Sequence, residues 1–255
     1  MEFRLQAALP FQNLHLKPKL RTSLLTMPAV APDLKQIVAR LARHYGQPRA
    51  PITTDPFELL LLENVAYLVS DERREEAFKL LRKHAGTSPH EILAAGPEQI
   101  LQSTKLGGMH SEQRVARLRE IALIAMNEFG GDLRQALRLP LPKAKQALRK
   151  FPGIGAPSAE KILMLTRSYP VLSLDSNGLR VLVRLGFGDE KKNYTATYRS
   201  VQESIQDQLI EDYDWLINAH ILLRQHGKEL CKTNAPACDK CPVRKSCAYF
   251  KSAFG

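Results

Sequence analysis

Apolar residues recur at helical spacing along most of the chain. The first such pattern begins after Asp33, and its apolar face holds Leu34, Ile37, Val38 and Leu41. From Phe57 to Met164 the pattern predicts successive helices of roughly 8 to 16 residues. Glycine and proline clusters separate these helices at 86–89, 96–97, 107–108, 130–131, 140–142 and 152–155. No alternating run of strand type stands out, so the sequence predicts an all-α fold.

The segments outside this periodic region have a different composition. Residues 1–32 hold four prolines and no sustained periodicity, which indicates an N-terminal extension, and residues 46–56 indicate a linker. The most apolar stretch, 59–69, has about half the length that spans a bilayer, and Glu63 and Asn64 interrupt it. We therefore expect no membrane partner.

The charge balance of the chain is strongly basic. Lysine and arginine total 37 against 26 aspartates and glutamates, which gives a formal net charge of +11 at pH 7. Such a balance favours a polyanionic partner, of which nucleic acid is the commonest. The alternative is that the charge serves solubility alone.

All four cysteines fall within one short segment near the end of the sequence, with the spacing C-x6-C-x2-C-x5-C: Cys231, Cys238, Cys241 and Cys247. Such crowding indicates a metal or cluster site rather than a disulfide framework. Four thiolates at irregular short intervals suit a cubane iron–sulfur cluster, whereas a structural zinc site usually has two matched pairs of ligands. Zinc stays the alternative.

Basic residues surround the cysteines, and Lys240, Arg244 and Lys245 lie between the second and fourth of them. A loop held rigid by a cluster could present these side chains to DNA phosphates. The alternative is a charged face that only contacts solvent.

A second motif, Pro152-Gly153-Ile154-Gly155, lies between two helical patterns. It predicts a tight hairpin, because glycine permits positive φ and a close approach of the backbone. The helix that follows offers unpaired backbone N–H groups that can bind a DNA phosphate. Alone this signal is weak, since many pairs of helices turn through glycine.

Together, the cysteine spacing and the hairpin resemble the endonuclease III and adenine-glycosylase branch of the helix-hairpin-helix DNA glycosylases. The resemblance implies a 4Fe-4S cluster on the four cysteines and, as partner, double-stranded DNA that contains a lesion or a mismatch. It also implies two helical lobes with a base-flipping cleft between them. Residues 57–170 would form the helical lobe, and 33–56 would join 171–255 in the cluster lobe. We expect the protein to act as a monomer.

The resemblance also identifies a candidate catalytic residue, Asp175, which ends an apolar run and opens the next helix. In the family an aspartate at this place is catalytic, and Asn177 follows here as in the adenine glycosylases. A carboxylate at a helix N-terminus is favoured in its ionised form, and it can stabilise a positively charged sugar while the base departs. The alternative is a simple helix cap.

Glu63 lies in an apolar stretch, and alignment from Pro56 puts it where adenine glycosylases keep the acid that protonates the departing base. We expect an apolar pocket to raise its pKa, as a general acid at neutral pH requires. Tyr67 would lie one turn later on the same helical face. The alternative is an exposed glutamate on an amphipathic helix.

Two departures from the family pattern bear on the reaction. Bifunctional members have a nucleophilic lysine at the position of Pro157, and Lys150 and Lys161 both lie outside that position. The sequence therefore favours a monofunctional glycosylase that uses water. A bifunctional lyase with a displaced lysine and a catalytically silent DNA-binding homologue are the alternatives. The loop that faces the opposite base is matched only loosely, by residues 105–110 with Met109 and His110, which leaves the choice of base open.

Overall fold

The computed structural model describes residues 32–254, and this part of the chain is all-α, as predicted. Its α-helices, in chain order, are α1 (Leu34–Tyr45), α2 (Pro56–Asn64), α3 (Asp71–His84), α4 (Pro89–Ala94), α5 (Pro97–Leu106), α6 (Ser111–Phe129), α7 (Arg134–Leu137), α8 (Leu141–Leu148), α9 (Ala156–Leu165), α10 (Ser176–Leu185), α11 (Tyr194–Ile205), α12 (Tyr213–Glu229) and α13 (Ala248–Phe254). Short 3-10 helices lie at Gln206–Gln208, Cys238–Lys240 and Arg244–Ser246. The predicted N-terminal extension lies outside the described residues, apart from Pro32.

The helix boundaries follow the local signals in the sequence. The helix predicted after Asp33 is confirmed, because the Asp33 side chain accepts a hydrogen bond from the Gln36 N–H at 3.1 Å and caps α1. Its four predicted apolar positions are all buried. Each predicted glycine or proline break between residues 86 and 155 falls between two helices. Within residues 32–254, no helix is long and apolar enough to cross a membrane.

The helix α2 lies at the centre of the apolar core. It is apolar on nearly every side, and Phe57, Leu59, Leu60 and Leu61 are buried. It packs against α3, α6 and α9. Full burial of a leucine side chain stabilises a fold by about 1.5–3 kcal/mol, so the burial of this helix stabilises the fold strongly. As a result, the end of α2 meets the start of α9.

A second set of contacts joins the C-terminal helices. The helix α10 packs on α11, α12 and α13, and α12 also packs on α1 and α9. This packing places the residue before α10, Asp175, beside the middle of α12. The division into lobes at residues 56 and 170 stays a prediction.

Candidate active site and cysteine loop

The hairpin forms between α8 and α9, as the glycine pattern predicts. Gly153 has φ +76°, and a Cβ atom there would lie 2.6 Å from Asn64 Oδ1, so the last residue of α2 packs directly on the turn. Gly155 has an extended backbone instead, and it precedes α9 without a side chain to cap that helix. Ile154, which we expected to bind DNA, has only 6% of its surface exposed, so its side chain belongs to the core. Contact of Pro152, Gly153, Ile154 and Gly155 with DNA stays a prediction, which for Ile154 concerns the backbone.

Glu63 lies in the last turn of α2 and contacts the first turns of α9. Its Oε1 is 2.5 Å from Lys161 Nζ, and its Oε2 accepts a hydrogen bond from Ser158 Oγ at 3.2 Å. Only 14% of the Glu63 side chain and 25% of the Lys161 side chain are exposed. The structure therefore makes Glu63 and Lys161 an ion pair beside the hairpin.

The expected rise in the pKa of Glu63 is wrong. Burial alone would raise the pKa, but the charge and hydrogen bond of Lys161, with help from Arg74, bring it below its usual value. Glu63 is therefore ionised at neutral pH. The sequence showed the apolar neighbours of Glu63, whereas its partner lies 98 residues further along the chain.

Tyr67 does not share a helical face with Glu63, contrary to our expectation, because α2 ends at Asn64. The Asn64 side chain bonds back to the Leu60 carbonyl, and the chain then leaves the helix. The Tyr67 N–H donates to the Gly107 carbonyl at 2.8 Å, and Tyr67 forms an isolated bridge with Gly108. The Tyr67 side chain is exposed, so a catalytic role for it stays a prediction without support from this geometry.

The two loops that this bridge joins carry an exposed apolar tip, in which the sequence analysis named Met109 and missed Leu68. Leu68 is 77% exposed with φ +55°, and Met109 is 62% exposed. His110 is also exposed and has φ +59°. The buried Arg114 side chain holds this loop by donating to the carbonyls of Gly108 and Met109. Leu68 belongs to an apolar run in the sequence, but its backbone is left-handed and its side chain lies outside the core.

Asp175 occupies the N-cap position of α10, and three partners orient its carboxylate. Its Oδ1 accepts from the Gly178 N–H at 2.8 Å. Its Oδ2 accepts from Asn177 Nδ2 at 3.1 Å and lies 3.1 Å from Arg224 Nε. The side chain is 29% exposed, so one side of the carboxylate stays open. The cap is therefore present, and a catalytic role stays compatible with it.

A buried polar link connects the Asp175 group with the start of α9. Ser173 Oγ donates to the Pro157 carbonyl at 2.9 Å, and the Ser173 carbonyl lies 2.7 Å from His220 Nδ1. Burial, together with the charge of Lys161, lowers the pKa of His220 to about 4, so His220 is neutral at neutral pH. The segment before Asp175 is thus fixed to the hairpin helix that carries Lys161.

The four cysteines line one cavity between the end of α12 and α13. Two arginines of α10 contact the loop. Arg180 Nε donates to the Cys231 carbonyl at 2.9 Å, and Arg184 Nη1 lies 3.5 Å from Cys231 Sγ. His226 Nε2 lies 3.5 Å from Cys241 Sγ. Sequence reasoning missed both arginines, because their role depends on packing between α10 and the loop.

The donor set of this cavity fits a thiolate-bound group. Burial raises the pKa of Cys241 to about 11, so its thiol is neutral unless a cationic centre ionises it. Among residues 32–254, no three cysteine, histidine, aspartate or glutamate side chains are grouped closely enough to hold a single metal ion.

Lys240, Arg244 and Lys245 are exposed around the cavity, and their contact with DNA stays a prediction.

Comparisons with known proteins agree with this architecture. No protein-family model matches the sequence. The chain is 28% identical over 217 residues to endonuclease III of Thermotoga maritima, and the alignment covers 85% of this chain and 91% of the relative. A trapped endonuclease III–DNA covalent intermediate has the same fold, with a TM-score of 0.67 and 20% identity over 86% of this chain and 96% of the other. A thermostable thymine-DNA glycosylase also has a TM-score of 0.67, with 20% identity over 86% of this chain and 97% of the other. The chain is thus similar in sequence to endonuclease III, and it has the fold of these DNA glycosylases.

Proposed function

We propose that this protein is a base-excision DNA glycosylase that hydrolyses the N-glycosidic bond of a damaged or mispaired base in double-stranded DNA and acts as a monomer. The observation that carries the proposal is the carboxylate of Asp175, which is oriented by Gly178, Asn177 and Arg224 and keeps one open side. A fixed negative charge stabilises the positive charge that develops on the sugar as the base leaves. The exposed tip formed by Leu68 and Met109 supports base extrusion, because apolar side chains can take the place of a flipped base.

Glu63 and Lys161 supply the second chemical function in the proposal. An ionised Glu63 does not by itself donate a proton. Lys161 Nζ is the hydrogen-bond donor of the pair, beside the hairpin. A departing base within reach of Nζ can accept a hydrogen bond from it, which stabilises the negative charge that the base gains as it leaves.

A lyase reaction is the second candidate function, and the position of Lys161 favours it. Lys161 brings an amino group to the site even though Pro157 occupies the lysine position of bifunctional relatives. An amine must lose its proton before it can attack a sugar carbon. In this structure Lys161 Nζ is engaged by the Glu63 carboxylate at 2.5 Å, and Pro157 occupies the lysine position of the motif, so we favour hydrolysis by water.

Borohydride trapping distinguishes the two reactions. Duplexes that each carry one lesion or mismatch are incubated with the wild type, with Lys161→Ala and with Lys150→Ala, the last being a lysine paired with Glu128 on the surface. We expect an abasic strand that stays intact until alkali is added, and no trapped complex. Trapping that disappears in Lys161→Ala and persists in Lys150→Ala would establish the lyase instead. Absence of base release from every duplex would favour the silent homologue.

We also propose that Cys231, Cys238, Cys241 and Cys247 hold a 4Fe-4S cluster. The convergence of four thiols on one cavity supports this assignment, as does the guanidinium of Arg184 beside Cys231. When bound, such a cluster cross-links the loop, which has only short 3-10 turns of its own between the second and fourth cysteines. Metal analysis should find iron, and the purified protein should absorb light at about 400 nm. Zinc without iron would contradict the assignment.

A further inference from the structure

Asp175 is the end of a row of four alternating charges that joins three helices. Arg224, on α12, places Nε 3.1 Å from Asp175 Oδ2. Its two other nitrogens, Nη1 and Nη2, each lie 2.5 Å from an oxygen of Asp71, the first residue of α3. Lys228, one turn further along α12, contacts the same carboxylate at 2.6 Å. Two positive and two negative groups thus alternate from Lys228 to Asp175.

A guanidinium beside Asp175 presents an electrostatic problem for the proposed reaction. An uncompensated positive charge at this distance opposes the cation that Asp175 is there to stabilise. Asp71 removes this difficulty, because a carboxylate that binds both terminal nitrogens of an arginine neutralises it and fixes its plane. Only Nε is then left for Asp175, and it can orient that carboxylate by a single ion-pair contact.

The protonation states of the row support this division of roles. The hydrogen bond and charge of Asp71 raise the pKa of Arg224. Burial alone would raise the pKa of Asp71, but hydrogen bonds from Arg224 and Lys228 hold it well below its usual range. Both groups are therefore charged throughout the neutral range. Removal of the Asp71 charge would leave two cations, Arg224 and Lys228, facing Asp175 alone.

We propose that Asp71 is a positioning residue that acts through Arg224: it neutralises the guanidinium so that Arg224 orients Asp175 without cancelling its negative charge. Asp71 itself does not touch the DNA in this role. The inference rests on the proposed function, because it takes Asp175 as the group that meets the positively charged sugar. The chemical step itself is unchanged; Asp71 sets how much of the Asp175 charge the sugar experiences.

Binding measurements can test this without any turnover. Two duplexes are used, one with a cationic pyrrolidine ring in place of a single deoxyribose and one with a neutral tetrahydrofuran ring. The ratio of their dissociation constants reports the negative charge that the site presents to the sugar. We expect the wild type to prefer the cationic ring, and Asp71→Asn to reduce this preference by about tenfold. Asp71→Glu, which keeps the charge, should retain most of it.

The double variant makes the test specific. In Asp71→Asn with Arg224→Met, the uncompensated guanidinium is gone, so the preference should recover relative to Asp71→Asn alone. A merely structural ion pair predicts no such recovery. Asp214→Asn, which frees the exposed Arg167 in the same way, is the matched control and should leave the ratio unchanged. Thermal unfolding of each variant confirms that the compared proteins are folded.

The outcomes separate the inference from the proposed function. If Asp175→Asn binds both rings with the same ratio as the wild type, the role of Asp175 is wrong and the inference falls with it. If Asp175→Asn loses the preference while Asp71→Asn keeps it, only the inference is overturned. The inference is also overturned if the double variant prefers the cationic ring no more strongly than Asp71→Asn does.

Discussion

The carboxylate of Asp175 has two roles that a substitution can separate. As a helix cap it accepts the Gly178 N–H, and asparagine caps a helix about as well as aspartate. As a charge it faces the open side of the site, and there asparagine cannot replace it. The two roles therefore respond differently to the change Asp175→Asn.

We predict that Asp175→Asn leaves folding and DNA affinity nearly intact and slows base release by about a hundredfold or more, as removal of one preorganised electrostatic group typically does. Single-turnover kinetics and urea unfolding measure the two effects. Asp212→Asn is the matched control, because Asp212 caps α12 by accepting the N–H groups of Asp214 and Trp215. Full activity of Asp175→Asn would contradict the proposed mechanism.

At the scale of single residues, the sequence predicts the position of a residue that belongs to a local motif. It does not predict the pairing of a residue whose partner lies far away along the chain. The position of Asp175 before a helix could be predicted, because the residues around it form the local motif on which the resemblance depends. The pairing of Glu63 with Lys161 could not, because it depends on how α2 and α9 pack. The same limit applies to Arg224, whose two carboxylate partners are 49 and 153 residues away from it along the chain.

The contact between α2 and the hairpin depends on one glycine. Gly153 has φ +76°, and a Cβ there would meet Asn64 Oδ1 at 2.6 Å. Gly130 also has a positive φ, +59°, yet nothing lies within 4 Å of the position of its Cβ. Both glycines therefore have a positive φ, and they differ in the space around them.

We predict that Gly153→Ala lowers the free energy of unfolding by about 2–4 kcal/mol, since backbone strain adds to the displacement of Asn64. Gly130→Ala should cost only the strain, about 1 kcal/mol. Urea unfolding measures both, and the affinity for duplex DNA should weaken in Gly153→Ala alone, because its hairpin moves. Equal decreases in stability in the two variants would show that the contact with Asn64 contributes nothing.

The elements themselves were largely predictable, and their tertiary contacts were not. Glycine and proline act locally, so the breaks between α3 and α9 could be placed from the sequence. The end of α2 was missed because apolar residues continue through Val65, Ala66, Leu68 and Val69. The Tyr67 N–H there donates a hydrogen bond to the Gly107 carbonyl. The spacing of apolar residues cannot predict this contact, because Gly107 belongs to a distant loop.

For the whole molecule, the net charge of +11 is less informative than where the charges lie. Lys161, Arg224 and Lys228 are basic residues that pair with carboxylates near the proposed site. Lys240, Arg244 and Lys245 are exposed and take part in no ion pair within residues 32–254. The basic groups of the cysteine loop are therefore available to phosphates, whereas those near Asp175 are already compensated.

This difference can be measured through the salt dependence of DNA binding. Replacement of Lys240, Arg244 and Lys245 by alanine should weaken binding to all duplex sequences, and the slope of log K against log salt should fall by about 0.9 for each phosphate that the variant no longer neutralises. The control replaces Lys35, Lys79 and Lys83, three exposed lysines of α1 and α3, and removes the same three charges. If binding followed net charge alone, the slope would fall equally in both triple variants. We expect the change only in the cysteine-loop variant, because counterions are released where side chains meet phosphates and not by charge elsewhere on the surface. An unchanged slope in that variant would show that the cysteine loop does not contact the DNA backbone.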